Sequence, residues 1–125
     1  MSFKNGTKIE DVTQQLLVLH NKARATASLN PLELNSDLMH YAQVWANTMA
    51  ENNTLIHSNM ENVLHIGFFA AGENIAFNQD TVSYVVDDWL RSHNHRENIM
   101  KPFTQVGFGL ACNLNNPYWC AVFAA

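Results

Sequence analysis

A chain of 125 residues, 47% hydrophobic and 14% charged, carries enough apolar material for one core. That excludes a disordered chain and leaves little room for a second domain. The formal charge of −4, with seven scattered basic residues, excludes nucleic acid as a partner, because phosphate repels such a surface unless a basic patch overrides the balance.

The segment Met1-Ser2-Phe3-Lys4-Asn5-Gly6 lacks the apolar core of a signal peptide. Either the protein is not exported, or this is a mature form with a starting methionine. No apolar run approaches the roughly 20 residues that span a bilayer. Residues 1–8 read as a short extension and 9–125 as the domain.

From about Lys8 to Ala25, Ile9, Val12, Leu16, Leu19 and Ala23 recur at spacings of three and four, the pattern of an amphipathic helix. Ser28-Leu29-Asn30-Pro31 breaks it. Ser36 is the expected N-cap of a second helix, whose stripe is Leu38, Ala42, Trp45, Ala46 and Met49 and whose end falls near Asn52-Asn53. Thr54 to Asn78 shows no helical period and reads as loops around one or two short strands. Asp80 or Thr81 caps a third helix that buries Val82, Val85, Val86, Trp89 and Leu90. Asn94-His95-Arg96-Glu97 opens a short helical turn, with Asn94 as cap and Glu97 reaching back in a capping box. Pro102 stops it. Strands at Thr104–Cys112 and Tyr118–Ala124 finish the chain, joined by Asn113-Leu114-Asn115-Asn116-Pro117 as a hairpin loop. Helices and strands that do not alternate strictly predict an α+β domain or an α-β-α layered one.

In simple antiparallel register, that hairpin can place Cys112 opposite Cys120. A cross-strand disulfide would then contribute on the order of 2–3 kcal/mol. The alternative is two buried free thiols. The disulfide is the favoured expectation, and it implies an oxidising compartment. Two cysteines alone are too few for a structural zinc site.

Six histidines stand at 20, 40, 57, 65, 93 and 95, with no HExxH pair on a helix. Glu73 lies in Gly72-Glu73-Asn74-Ile75-Ala76, among residues that read as a strand entering the interior. A buried carboxylate is costly without partners, and a histidine is the natural one. His20 and Arg24, one helical turn apart, read as packing and polar contacts. His40 and His65 read as ordinary residues, and His93 as a solvent-facing one at the cleft rim. Trp45, Trp89 and Trp119 read as core.

Several segments, in order, resemble the CAP superfamily of cysteine-rich secretory proteins, insect venom antigen 5 and plant pathogenesis-related class-one proteins. Leu19-His20-Asn21-Lys22-Ala23-Arg24 is similar to its opening helix, His57-Ser58-Asn59 to its first histidine motif, and Gly72 to Ala76 to its glutamate motif. Trp89, Ser92, His95, Arg96, Asn98, Ile99 and Met100 fit the W-x-x-S-x-x-H-R-x-N-I-M/L pattern of compact bacterial-type members, and Thr104 to Gly109 completes the series. The resemblance implies a three-layer α-β-α sandwich with a small, mainly antiparallel central sheet.

It also implies a cleft in which His57 and His95 hold a metal, with Glu73 and Ser92 beside them. The usual second glutamate position is occupied here by Ser92, so the acid/histidine set is incomplete. Two histidines are fewer protein ligands than tight zinc sites use, which predicts weak, exchangeable Zn²⁺. If His95 is the first residue of its helix, the positive terminus favours the neutral ring that binds metal. The implied protein is a secreted, monomeric binding module for sterol, another lipid or a protein partner, in defence, virulence or signalling. The eukaryotic Gly-His-Tyr/Phe-Thr-Gln-Val-Val-Trp signature is absent apart from Thr104-Gln105-Val106. The alternatives are a metal-assisted hydrolase with Glu73 as catalytic base, and a scaffold whose His57–Glu73–His95 cluster is only structural.

Overall fold

The computed structural model describes residues 9–125, so the expected extension at 1–8 lies outside the described residues. In chain order the elements are α1 (Ile9–Thr26), β1 (Glu33–Leu34), α2 (Ser36–Asn52), α3 (Glu61–Gly67), β2 (Ala71–Phe77), α4 (Val82–Arg91), α5 (His93–Met100), β3 (Gln105–Asn113) and β4 (Asn116–Ala124). The sheet runs β1-β3-β4-β2. β1 is parallel to β3, and the other pairs are antiparallel. This is the expected mainly antiparallel sheet between two helical layers.

Successive strand residues face opposite sides of a sheet. Val106, Phe108, Trp119, Ala121 and Phe123 therefore pack on one side with residues of α1, α4 and α5. Ile75, Tyr118, Cys120 and Val122 pack on the other with α2 and α3. α2 lies directly on β3. A Cβ at Gly107 would meet the Leu38 backbone at 2.1 Å, and one at Gly109 the Ala42 backbone at 2.3 Å. The small Ala42 and Ala46 face this seam. α2 also covers the outer edge of β3. The Gln43 amide donates to Leu110 O (2.8 Å) and accepts from Leu110 N (3.1 Å).

Several local expectations are corrected. Asn35, not Ser36, caps α2, accepting from the Leu38 amide. α3 falls inside the stretch read as loops and strands; at 7 residues it is too short to display a period. Thr81 caps α4. α5 starts at His93 with Ser92 as its cap residue, so there is no Asn94–Glu97 capping box. Glu97 instead lies 3.4 Å from His93 and 3.6 Å from Lys101.

The hairpin turn is two residues, Leu114-Asn115, because Asn113 pairs with Asn116. Leu114 takes φ 51, a left-handed conformation costly for leucine. The tight turn undoes the expected disulfide. Cys112 pairs with Pro117 and Cys120 with Gly109, so the thiols lie on opposite faces of the sheet. Both are free, Cys112 exposed and Cys120 buried.

In α1 the buried face is Val12, Thr13, Leu16, His20 and Arg24, rotated from the apolar stripe. Arg24 donates to the carbonyls of Asn30 (2.8 Å), Ile99 (2.8 Å), Lys101 (2.7 Å) and Phe103 (3.1 Å). These bonds offset the burial of its charge and tie α1 to the link between α5 and β3. His20 is fully buried against Phe108, Trp89 and Phe123. Its Nδ1 meets Leu16 O at 2.7 Å. Burial pushes its pKa down to about 4. Both are structural residues, as expected.

Candidate functional site

β2 lies at the edge of the sheet. Its outward carbonyls are occupied by side chains: Asn98 Nδ2 donates to Glu73 O (3.2 Å) and Trp89 Nε1 to Ile75 O (3.2 Å). The loop after α2 approaches this strand from one face and α5 from the other.

Glu73 is the centre of the first half. Its side chain is 2% exposed. Oε1 accepts from the Ser58 amide (2.9 Å) and meets His57 Nδ1 at 2.8 Å. Oε2 accepts from Ser58 Oγ (2.5 Å). The expected histidine partner of a buried carboxylate is therefore His57. These donors together offset the desolvation of the carboxylate. Tyr41 on α2 donates to Ser58 Oγ (2.8 Å), which anchors the loop to the helix. Trp45 helps: it is half-buried, not core, and its Nε1 donates to Ile56 O (2.8 Å). On the far side, the Cys120 thiol lies 3.9 Å from Glu73 Oε2. Burial, then the neighbouring Glu73 charge, raises the thiol's pKa well above its usual value.

An ionised carboxylate only accepts hydrogen bonds. It therefore keeps a proton on His57 Nδ1, and in the neutral tautomer, the form that binds metal, the Nε2 lone pair is left outward. Among the described residues Nε2 has no protein partner, and the side chain is 61% exposed.

The second half is His95, half-buried, with Nδ1 2.8 Å from Ser92 Oγ. Its pKa is lowered, first by burial and then by the charge of His57. His95 is the third residue of α5, not the first, so burial carries the effect expected of the helix terminus. Positive charge on His57 is the second cause, so a proton on that ring disfavours one on His95. Glu73 therefore stands with His57, while Ser92 stands with His95. His93 and His40 face solvent with no part in the site, as does His65.

Among the described residues, no three His, Cys, Asp or Glu side chains gather as a metal cage. The donor chemistry is two imidazoles, each with Nδ1 engaged. That fits an open, weakly held divalent ion and does not fit a closed structural site.

Residue-by-residue reading missed Ser58, Tyr41, Asn74 and Asn98. Ser58, Asn74 and Asn98 are letters of the motifs themselves, so the signal was present without a role attached. Nothing in the sequence marks Tyr41.

An α-β-α sandwich with two histidines and a buried glutamate at the edge of its sheet defines the class. The sequence model of the CAP family, described as the cysteine-rich secretory protein family, matches residues 17–123, and the chain belongs to that family. It is 32% identical over 105 residues to the uncharacterized protein YkwD of Bacillus subtilis (strain 168), covering 77% of this chain and 41% of YkwD. The chain spans less than half the length of the curated relatives it matches. Its fold is similar to that of an outer surface protein from Borrelia burgdorferi, with TM-score 0.86, 22% identity, and 99% and 98% of the two chains covered. An extracellular SCP-domain protein from Bacillus anthracis str. Ames is similar over 92% of this chain and 40% of its own, with TM-score 0.79 and 26% identity. Among the described residues no helix is long and apolar enough to cross a membrane.

Proposed function

We propose that this chain is an extracytoplasmic CAP domain that binds a divalent metal, Zn²⁺ first, through Nε2 of His57 and His95. The observation that carries the reading is the Glu73 contact with His57 Nδ1, which turns the metal-binding nitrogen outward. Ser92 supports His95 in the same sense. Two protein ligands leave coordination positions for water and for an external group, so binding is weak and exchangeable. The external ligand is a sterol, another lipid or a protein partner presented to the metal-bearing face. The location outside the cytoplasm is supported by family membership and by the extracellular and outer-surface relatives.

Binding is favoured over hydrolysis by the engagement of Glu73. Both of its oxygens face donors and its side chain is buried. That suits a carboxylate that orients a ring better than one that takes a proton from water.

Calorimetric Zn²⁺ titration tests the reading. About one ion should bind the intact protein, and both His57→Ala and His95→Ala should lose it. Equal binding by all three proteins would leave the cluster a structural network. A cholesterol- or ergosterol-transfer assay with and without zinc then reads the lipid half; no transfer in either condition removes it.

A further inference from the structure

The hydrogen bonds that link the two halves of the site run, among the described residues, through strand β2. Among the described residues, no hydrogen bond runs directly between the His57 loop and α5. Glu73 faces the α2 layer and holds His57 and Ser58. The next residue, Asn74, faces the opposite layer and is fully buried. Its Nδ2 donates to His95 O (3.0 Å). Asn98, one turn further along α5, donates from Nδ2 to Asn74 Oδ1 (2.9 Å) and to Glu73 O (3.2 Å). Gly72 makes room for this contact, since a Cβ there would lie 2.8 Å from Asn98 Oδ1.

We infer that Asn74 and Asn98 form a clamp that sets the spacing between His57 and His95. Of two neighbouring strand residues, Glu73 holds the His57 ring and Asn74 holds the His95 backbone, so the peptide unit between them is the ruler of the site. Neither asparagine touches a ring, and both are positioning residues. The inference rests on the metal reading above. Without the clamp, each histidine keeps its own partner, Glu73 or Ser92, but the pair loses its common geometry.

The test separates pairing from folding. Asn98→Ala removes both donor bonds from a half-buried position. Asn74→Asp keeps the shape and the acceptor for Asn98 but loses the donor to His95 O. Zinc affinity of each variant, measured by calorimetry on protein of native circular dichroism, should fall about tenfold or more. The same substitutions placed on His95→Ala should change affinity by less than about twofold, because one imidazole has no spacing to lose. Because His95→Ala loses zinc, this comparison is read in both backgrounds with Cu²⁺, which N-donor sites hold more tightly.

Zinc affinity unchanged in Asn98→Ala and Asn74→Asp would overturn the clamp. So would an equal loss in the His95→Ala background, which would mark a merely structural role. An intact protein without histidine-dependent zinc binding would remove the metal reading, and the clamp's purpose with it.

Discussion

Alanine at position 109 puts a methyl group where α2 already lies. The added Cβ would stand 2.3 Å from the Ala42 carbonyl oxygen, 2.5 Å from its carbon and 2.7 Å from Gln43 Cα. Ordinary contact begins near 3.4 Å, so α2 must lift by about 1 Å in an interior packed as densely as a crystal. These are backbone atoms within a 17-residue helix, and no rotamer change relieves them. Lifting α2 also stretches both Gln43–Leu110 hydrogen bonds. Overpacking costs about 1–3 kcal/mol, and two weakened bonds add about 1 kcal/mol each. The expected loss is roughly 3–5 kcal/mol, a large part of the 5–15 kcal/mol that a domain has. Urea unfolding followed by the fluorescence of buried Trp89 and Trp119 measures it. Gly72→Ala is the comparison: its Cβ meets chiefly the movable end of Asn98, so it should cost less stability. A Gly109→Ala protein within about 1 kcal/mol of the parent would refute the close-docking argument.

Three other outcomes are expected. The folded His20 ring resists protonation down to about pH 4, against 6.5 for an ordinary histidine. The unfolded chain therefore binds the extra proton in that window. Stability is complete above pH 6.5 and declines as pH falls towards 4, by roughly 3 kcal/mol. His20→Leu should flatten the decline, and an unchanged slope would assign it elsewhere. Ellman's reagent should titrate one thiol, Cys112, in the native protein and two in denaturant; none in denaturant without reductant would restore the disulfide. Arg24→Leu strips donors from four carbonyls, two of them in buried bonds. It should destabilise by about 3 kcal/mol or more, read as a fall in urea midpoint; a neutral result would show that water replaces the guanidinium.

The long elements were legible because their faces differ in chemistry. α4 shows this best: Val82, Val85, Val86 and Trp89 repeat at helical spacing and are all buried. α1 was legible as a helix but not in its rotation. Apolar spacing pointed to Leu19 and Ala23, yet His20 and Arg24 hold the centre of the buried face. A periodicity argument ranks polar residues outward, and it cannot foresee carbonyls arriving from residues 99, 101 and 103. The same blindness hid the clamp. Asn74 and Asn98 stood in plain view as motif letters, but their meeting depends on how α5 crosses β2. For the cysteines, the five-residue loop read from composition would have left both on one face, two positions out of register, whereas the two-residue turn puts them on opposite faces. Glu73 was the site residue most legible from physics alone, because a buried carboxylate must find donors.

The sheet order also dictates when the site comes into being. β2, which carries Glu73 and Asn74, has β4 as its only strand partner among the described residues, from Ala71–Ala124 to Phe77–Tyr118. Contacts of such large sequence separation form late, because a long loop must close before they are gained. A chain emerging from a ribosome or a membrane channel therefore makes both histidines long before it can bring them together. Only when residue 124 is free does β4 complete the sheet and give β2 its place. Until then the imidazoles are separate groups on an unfinished chain, and the pair proposed to hold metal does not yet exist.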